Sequence, residues 1–363
     1  MDPPSVKSVA KTGSFRDIPV DILRGLAITL MIMANLTPAL LLPPAPGWYR
    51  FLSSLAAPLF IGLAGMMVAL SRTGKGRPLS YMATRGGLVI LAGVFLHLLV
   101  FDCVPFLDME VLYLIGLSLP LAYLYLGLPE RKRWAVIVAI VCITPLLHAG
   151  FGYSEEAIVT PYVTLVPFSI SDDPFPAPLD VVRAWFVDGW FPVFPWLAVA
   201  LFGAEVGVHR WRDRTLPRFR FQNEGLYGFG LVLAGAALWT LFPGAQYIRE
   251  GYVEFFYPPA TGLLLLSAGL IPLGLTVLDH LRGQYALMDP LRAAGECSLA
   301  IYIVHYAIIV KVVEPLLIQL PLPAYMATYL VLFAGMILLA YLLRHVRTSW
   351  RGQPFLVRFL IGS

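Results

Sequence analysis

Ten runs of about twenty mostly apolar residues, near 18–42, 50–71, 82–101, 107–127, 133–149, 190–209, 225–243, 255–278, 296–319 and 323–344, constrain this chain more than any motif does. Each run is long enough to cross a hydrocarbon core of about 30 Å as a helix. Inside lipid a helix satisfies its own backbone N–H and C=O groups, so the predicted fold class is all-α: a polytopic membrane protein, a bundle of about ten transmembrane helices. Composition agrees. The chain is 58% hydrophobic and 13% charged, with a mean hydropathy of +0.76, whereas a soluble domain carries about 25% charge. One transmembrane domain is expected over 18–344, between polar tails at 1–17 and 345–363.

Lys and Arg in the connections set the expected orientation. Counting the amino-terminal tail, alternate connections and the carboxy-terminal tail, one side holds twenty-one Lys and Arg and the other only Arg50, Arg183, Arg249 and Lys311. Both termini are therefore expected in the cytoplasm, and residues 150–189 form an extracytoplasmic loop or cap. A cap of roughly 40 residues exceeds ordinary loop lengths. The basic residues are accounted for by topology, and nothing calls for a nucleic-acid partner. No small-residue cleavage site follows the first apolar run, so 1–17 reads as a tail. Three cysteines, Cys103, Cys142 and Cys297, lack metal-ligand spacing and are expected as free thiols.

The first run, DILRGLAITLMIMAN, carries Arg24 and Asn35 eleven residues apart, which returns them to within roughly 20° of one helix face. They are separated by roughly 16 Å along the axis. An arginine in a membrane segment costs at least about 2.5 kcal/mol unless it meets a partner, water or an anionic ligand. Either Asp21 pairs with Arg24 near the interface, or Arg24 and Asn35 line a polar passage. In the ninth run, GECSLAIYIVHYAII, Ser298, Tyr302 and His305 fall on one helical stripe. A histidine at mid-membrane is a functional candidate, with a structural interhelical hydrogen bond as the alternative.

The connection with Arg72, Lys75, Arg77 and Arg85 has no acid and could hold phosphates, although topology alone would produce it. HLLVFDCVPFLDME places His97, Asp102, Asp108 and Glu110 at the outer surface, where a carboxylate beside a histidine could act as a base. Asp188 and Trp190, where the cap enters the sixth run, are candidate substrate-binding residues. Trp48 and Tyr49 are expected to anchor the first outer connection at headgroup depth. Glu205, near the basic end of the sixth run, could pair with a basic loop residue.

DILRGLAITLMIMAN, LAAPLFIGLAG, FPVFPWLAVALFGAEVG and GECSLAIYIVHY, in this order, resemble the heparan-α-glucosaminide N-acetyltransferase-like family of transmembrane acyltransferases. The resemblance covers most of the chain. It implies a bundle of ten or eleven helices in the cell membrane that takes acetyl-coenzyme A from the cytoplasm and acetylates an amino or hydroxyl group of a sugar or glycolipid on the far side. A homodimer is a further expectation. Arg24 matches the family's first-helix arginine, and Asn35 the position that is Asn in the heparan-type branch. The sequence departs from that branch in having no histidine over 36–53, and Ser54 stands where relatives often show His or Asp.

Such chemistry needs a cationic mouth for phosphates, donors for the developing oxyanion, and a base for the acceptor. Arg24, Arg72, Lys75, Arg77 and Arg85 suit the mouth. Asn35 suits the oxyanion. His305, oriented by Tyr302 or a carboxylate, is the first candidate base, and His97 with Asp102 the second. The competing readings are a transporter or flippase of a polar lipid or metabolite, and an acyltransferase-like membrane protein without catalysis.

Overall fold

The computed structural model describes residues 16–165, 168–212, 218–350 and 352–362. The tail residues 1–15, with Lys7 and Lys11, and the basic residues Arg214 and Arg351 lie outside the described residues. The helices are α1 Ile18–Leu40, α2 Gly47–Gly74, α3 Leu79–Phe101, α4 Val111–Tyr125, α5 Glu130–Phe151, α6 Pro178–Arg210, α7 Phe221–Leu241, α8 Thr261–His280, α9 Asp289–Glu296, α10 Ser298–Leu316, α11 Leu322–Ser349 and α12 Phe355–Leu360. Among the described residues nine are long and apolar enough to span a membrane, and α4, at 15 residues, is the shorter tenth. All ten apolar runs fall on helices, so the chain is a polytopic all-α membrane protein.

The boundaries differ in three places. The eighth run starts at 255, but α8 begins only at Thr261, because Pro258 and Pro259 offer no N–H to a helix. The long cap contains a two-stranded antiparallel hairpin, Val163–Leu165 against Phe168–Ile170. Its last dozen residues already belong to α6, which is interrupted at 189–192 and resumes at Val193.

Small residues let the central helices touch backbone to backbone, the usual device where lipid supplies no hydrophobic drive between helices. A Cβ added at Gly65 of α2 would overlap the Ala200 carbonyl of α6, and one at Gly203 of α6 would overlap the Gly62 carbonyl of α2. Gly25 of α1 meets Leu291 of α9 in the same way, and Gly295 of α9 meets Asp21. The most apolar windows of α1, α2 and α6 are each 78% buried, against 11% for α5 and 17% for α7 and α11. The first three form the centre and the last three the rim.

Helix ends alternate between two faces. On one, the basic face, the start of α1, the end of α6, the start of α7 and the end of α8 meet around Arg210, whose guanidinium donates to Asp17 at 2.6 and 2.8 Å and to Asp279 at 2.8 Å. Asp279 also accepts from the Phe219 backbone N–H at 2.8 Å. Glu296 at the end of α9 accepts from Arg292 at 3.0 Å, Arg344 at 3.1 Å and Arg347. Arg16 and Arg347 both donate to the Gly362 carbonyl, at 3.3 and 3.0 Å, so the two described ends of the chain share this face. Glu205 pairs with Arg133 at 2.7 Å.

Arg210 is fully buried between two carboxylates, which cannot be left in place without it. Replacing Arg210 with Leu should cost about 3–5 kcal/mol, read as a fall in the unfolding temperature of the detergent-purified protein. An unchanged melting curve would show that the cluster contributes nothing to stability.

Candidate active site

The site lies on the seam between α1 and α10, where the two polar residues of α1 each find a partner. Arg24 donates to the Ser298 hydroxyl at 2.7 Å, near the basic face. Asn35 Nδ2 lies 3.0 Å from His305 Nε2, deeper in the bundle. Periodicity explains both contacts: eleven residues of α1 and seven of α10 each return near the starting face. Asp21 meets Arg16 at 2.7 Å and stands 4.0 Å from Arg24. Between the two polar levels Ala27, Ile28 and Ile301 are fully buried.

The His305 tautomer follows from its neighbours. Nδ1 lies 2.9 Å from the Ile301 carbonyl, which can only accept. Nδ1 therefore carries the proton, Nε2 offers its lone pair, and the Asn35 amide donates to it. A second N–H of Asn35 is left for a ligand. His305 is thus oriented by the Ile301 carbonyl; the Tyr302 hydroxyl donates instead to Glu110 Oε1.

Above this level a cavity of about 360 Å³ opens toward the face opposite the basic one. Asn35, Ser53, His97, Trp190 and Tyr302 line it, together with the carboxylates Asp108, Glu110, Glu250, Glu254 and Glu314. Asp108 and Glu110 are buried, contrary to their expected surface position. The chain reverses through left-handed conformations at Asp102 (φ 53) and Phe106 (φ 68) before α4, which turns the two acids inward. Glu110 Oε2 caps α4 by accepting from the Leu112 N–H at 2.7 Å. Asp108 Oδ1 accepts from the Met109 N–H at 2.5 Å. Gly189 presses so close that a Cβ there would sit 2.5 Å from the Asp108 carboxylate. Burial pushes Asp108, Glu110 and Glu254 each up to about 7, against the hydrogen bonds and arginines that favour their charged forms.

The structure brings together Asn35, His305 and Tyr302 and sets His97 and Trp190 around the same cavity. It does not pair His97 with Asp102. The His97 ring meets the Tyr113 hydroxyl at 2.6 Å, while Asp102 forms an exposed ion pair with Lys311 at 2.5 Å. Asp188 is held away from the cavity by Arg183 and Arg249, each at 2.6 Å, and by the Ser154 N–H at 3.0 Å. On the basic face Arg85 and Arg16 lie near enough to Arg24 to repel it. Arg72 is occupied by the Tyr123 carbonyl and ring. Arg77 stacks on Tyr81 at 5.0 Å, and Arg85 donates to the Tyr81 hydroxyl at 3.2 Å. Lys75 and Arg77 are exposed.

Tyr49, expected at the headgroups, is fully buried and donates to the Met33 carbonyl at 2.9 Å, beside Tyr325, whose hydroxyl reaches the same carbonyl at 2.6 Å. Sequence reasoning missed Glu254, Tyr252 and Tyr257. The signal was present in YVEFFYPPA, an acid among aromatics ahead of two prolines, which the eighth apolar run partly absorbed.

The fold is a helical membrane bundle with a buried polar site, cations toward one face and carboxylates toward the other. The chain belongs to the heparan-alpha-glucosaminide N-acetyltransferase catalytic family, whose sequence model matches residues 16–243. Arg24, Asn35, His97 and Glu110 lie within the match; Glu254, Tyr302 and His305 lie beyond it. No curated protein matches the chain.

The Tyr302 hydroxyl favours the charged form of Glu110, so removing it moves that carboxyl further above about 7. In Tyr302→Phe, infrared spectra at pH 7 should show a stronger protonated-carboxyl band than the unmodified protein. An equal band would mean that the hydrogen bond does not control this group.

Proposed function

We propose that the protein transfers an acetyl group from acetyl-coenzyme A, bound at the basic face, to an amino or hydroxyl group of a saccharide or glycolipid in the opposite cavity. In this reading the basic face is cytoplasmic, with both termini, and the membrane is the cell membrane. The observation that carries the proposal is the paired seam: Arg24 with Ser298 at one level, Asn35 with His305 at the other, on a family-matched helix. Arg24 and Arg85, near enough to repel each other, supply charge-assisted donors to phosphates. Lys75 and Arg77 extend that charge into solvent, and Arg72, spent on Tyr123, contributes through position only.

At the reacting centre an acceptor attacks the thioester carbonyl, and negative charge gathers on its oxygen. The second N–H of Asn35 suits that oxygen. Because His305 fixes the amide through its first N–H, the donor is oriented before the reaction begins. His305 acts here as the holder of Asn35, its one available lone pair being already engaged. The aromatic and carboxylate lining, with Trp190 and Tyr252, suits a hydroxylated ring, since aromatic faces cover its apolar side and carboxylates accept its hydroxyl protons.

Detergent-purified protein should bind acetyl-coenzyme A, and Arg24→Ala should weaken binding by about tenfold or more, the worth of one charge-assisted contact. Asn35→Ala should lower transfer by about 100-fold with binding retained. Transport of a polar lipid without acetyl-coenzyme A binding would favour the transporter class; binding without turnover would favour a non-catalytic relative.

A further inference from the structure

The cavity holds one carboxylate whose position no structural role explains. Glu254 is 1% exposed, and neither carboxylate oxygen makes a close hydrogen bond, the nearest donors being its own backbone N–H and the Ser53 hydroxyl. Its backbone, by contrast, is fastened on both sides to the start of α2. The Arg50 guanidinium donates to the Val253 carbonyl at 2.6 Å, and the Phe255 N–H donates to the Ser54 hydroxyl at 2.7 Å. Arg50 from α2 is the compensating charge beside it, with the Ser53 hydroxyl alongside. The other titratable groups facing it are Tyr49, Tyr252, Tyr257 and Tyr325. A buried carboxylate without close hydrogen bonds to both oxygens costs free energy rather than supplying it.

We infer that Glu254 is the general base of the proposed acyl transfer, receiving the proton of the acceptor as it attacks the thioester. Elimination among the cavity's groups supports this. Both oxygens of Glu110 are engaged, by Leu112 and Tyr302. Asp108 has one oxygen tied to the Met109 N–H and the other unpartnered, and it faces Arg249, which favours its charged form. Glu250 and Glu314 are exposed. The His305 lone pair is held by Asn35, and His97 by Tyr113. Among the buried carboxylates of the cavity that Asn35 lines, Glu254 is the one with neither oxygen in a close hydrogen bond.

The step balances simply. The acceptor's nitrogen or oxygen forms a bond to the acetyl carbonyl carbon, and its proton passes to a Glu254 oxygen. The carbon–sulfur bond breaks, and the electron pair leaves on sulfur. The net proton transfer is from acceptor to the coenzyme A thiolate. Burial holds the Glu254 carboxyl up at about 7, within the range where a base both exists in its charged form at neutral pH and accepts a proton readily.

The inference rests on the acyl-transfer reading, and one experiment separates the two. Acetyl transfer from acetyl-coenzyme A to glucosamine and to glucose, as amino and hydroxyl probes, is measured for the unmodified protein, Glu254→Gln and Glu254→Asp, alongside acetyl-coenzyme A binding and unfolding temperature. Glu254→Gln should reduce turnover by about 100-fold or more, with binding kept and the unfolding temperature equal or higher. Glu254→Asp should recover part of the rate and keep the acidic limb of the pH profile that Glu254→Gln loses. Full turnover by Glu254→Gln overturns the base while sparing the acyl-transfer reading. So does a fall in unfolding temperature with turnover per folded molecule unchanged in Glu254→Gln. If the unmodified protein binds no acetyl-coenzyme A and acetylates neither probe, both inferences fall.

Discussion

A polar side chain in the middle of a membrane helix is tolerable only when another polar group meets it, and the contact between Asn35 and His305 is that condition satisfied in its simplest form. The amide supplies the N–H, the imidazole the lone pair, and the Ile301 carbonyl decides which nitrogen carries the proton. The contact needs α1 and α10 in one register, since a shift of a single residue rotates each side chain by about 100° away from its partner. Arg24 and Ser298 confirm that register near the basic face. Tyr302, between the two on α10, then has its hydroxyl directed at Glu110, which ties the start of α4 to the same seam.

That register can hold only if the neighbouring helices approach closely without filling the site. Gly25 and Gly295 join α1 to α9 at backbone contact, and α9 leads directly into α10. Gly65 and Gly203 do the same for α2 and α6 on the other side of α1's packing. Space is thus removed between helices by small residues and left open above Asn35, where the chain supplies aromatic and acidic side chains from loops. The loops are fixed by charge. Arg249, fully buried, donates to the Asp188 carboxylate and to the Ser154, Asp188 and Gly189 carbonyls, tying the segment after α5 and the interruption of α6 to the α7–α8 connection.

What could be read from the chain alone is what short-range geometry controls. The ten spans, the common face of Arg24 and Asn35 and the stripe of Ser298, Tyr302 and His305 all follow from periods of 3.6 residues and from runs of apolar side chains. The facing of α1 and α10 rests on the same argument applied twice. Loop geometry escaped it. Asp108 and Glu110 look like surface acids because nothing in FLDME announces the two left-handed residues that turn the chain inward. Asp188 looks available for a ligand because Arg249, sixty-one residues later, is invisible as its partner. Tyr49, at the end of a proline-rich connection, has the pattern of an interfacial anchor, yet its hydroxyl is drawn inward by the Met33 carbonyl. Glu254 was hidden for a different reason: its aromatic neighbours made the segment look like the beginning of a helix.

The two faces differ in how their charges are resolved, and this gives the bundle a direction. On the basic face the described carboxylates Asp17, Asp279 and Glu296 each touch arginine, so the acids are neutralised while Arg24 and Arg85 stand near each other with cationic excess. On the opposite face the order is reversed. Its cations are committed, Arg50 and Arg249 to loop carbonyls, Arg183 and Arg249 to Asp188 and Lys311 to Asp102, and burial raises Asp108, Glu110 and Glu254 toward their neutral forms. A polyanionic thioester meets a complementary field only at the first face, and an acceptor that must lose a proton meets groups able to receive one only at the second. In the proposed reaction the helix pair α1–α10 is what the two share, with Asn35 at the depth where a donor reaching from one side and an acceptor from the other would have to meet. Ile28 and Ile301, both fully buried, lie between those two levels along the helices, so in the proposed reaction a donor joining the levels has to pass side chains along that seam. Rotamer changes there are smaller than any change of register, and the polar contacts above and below would hold the two helices in place while they occur.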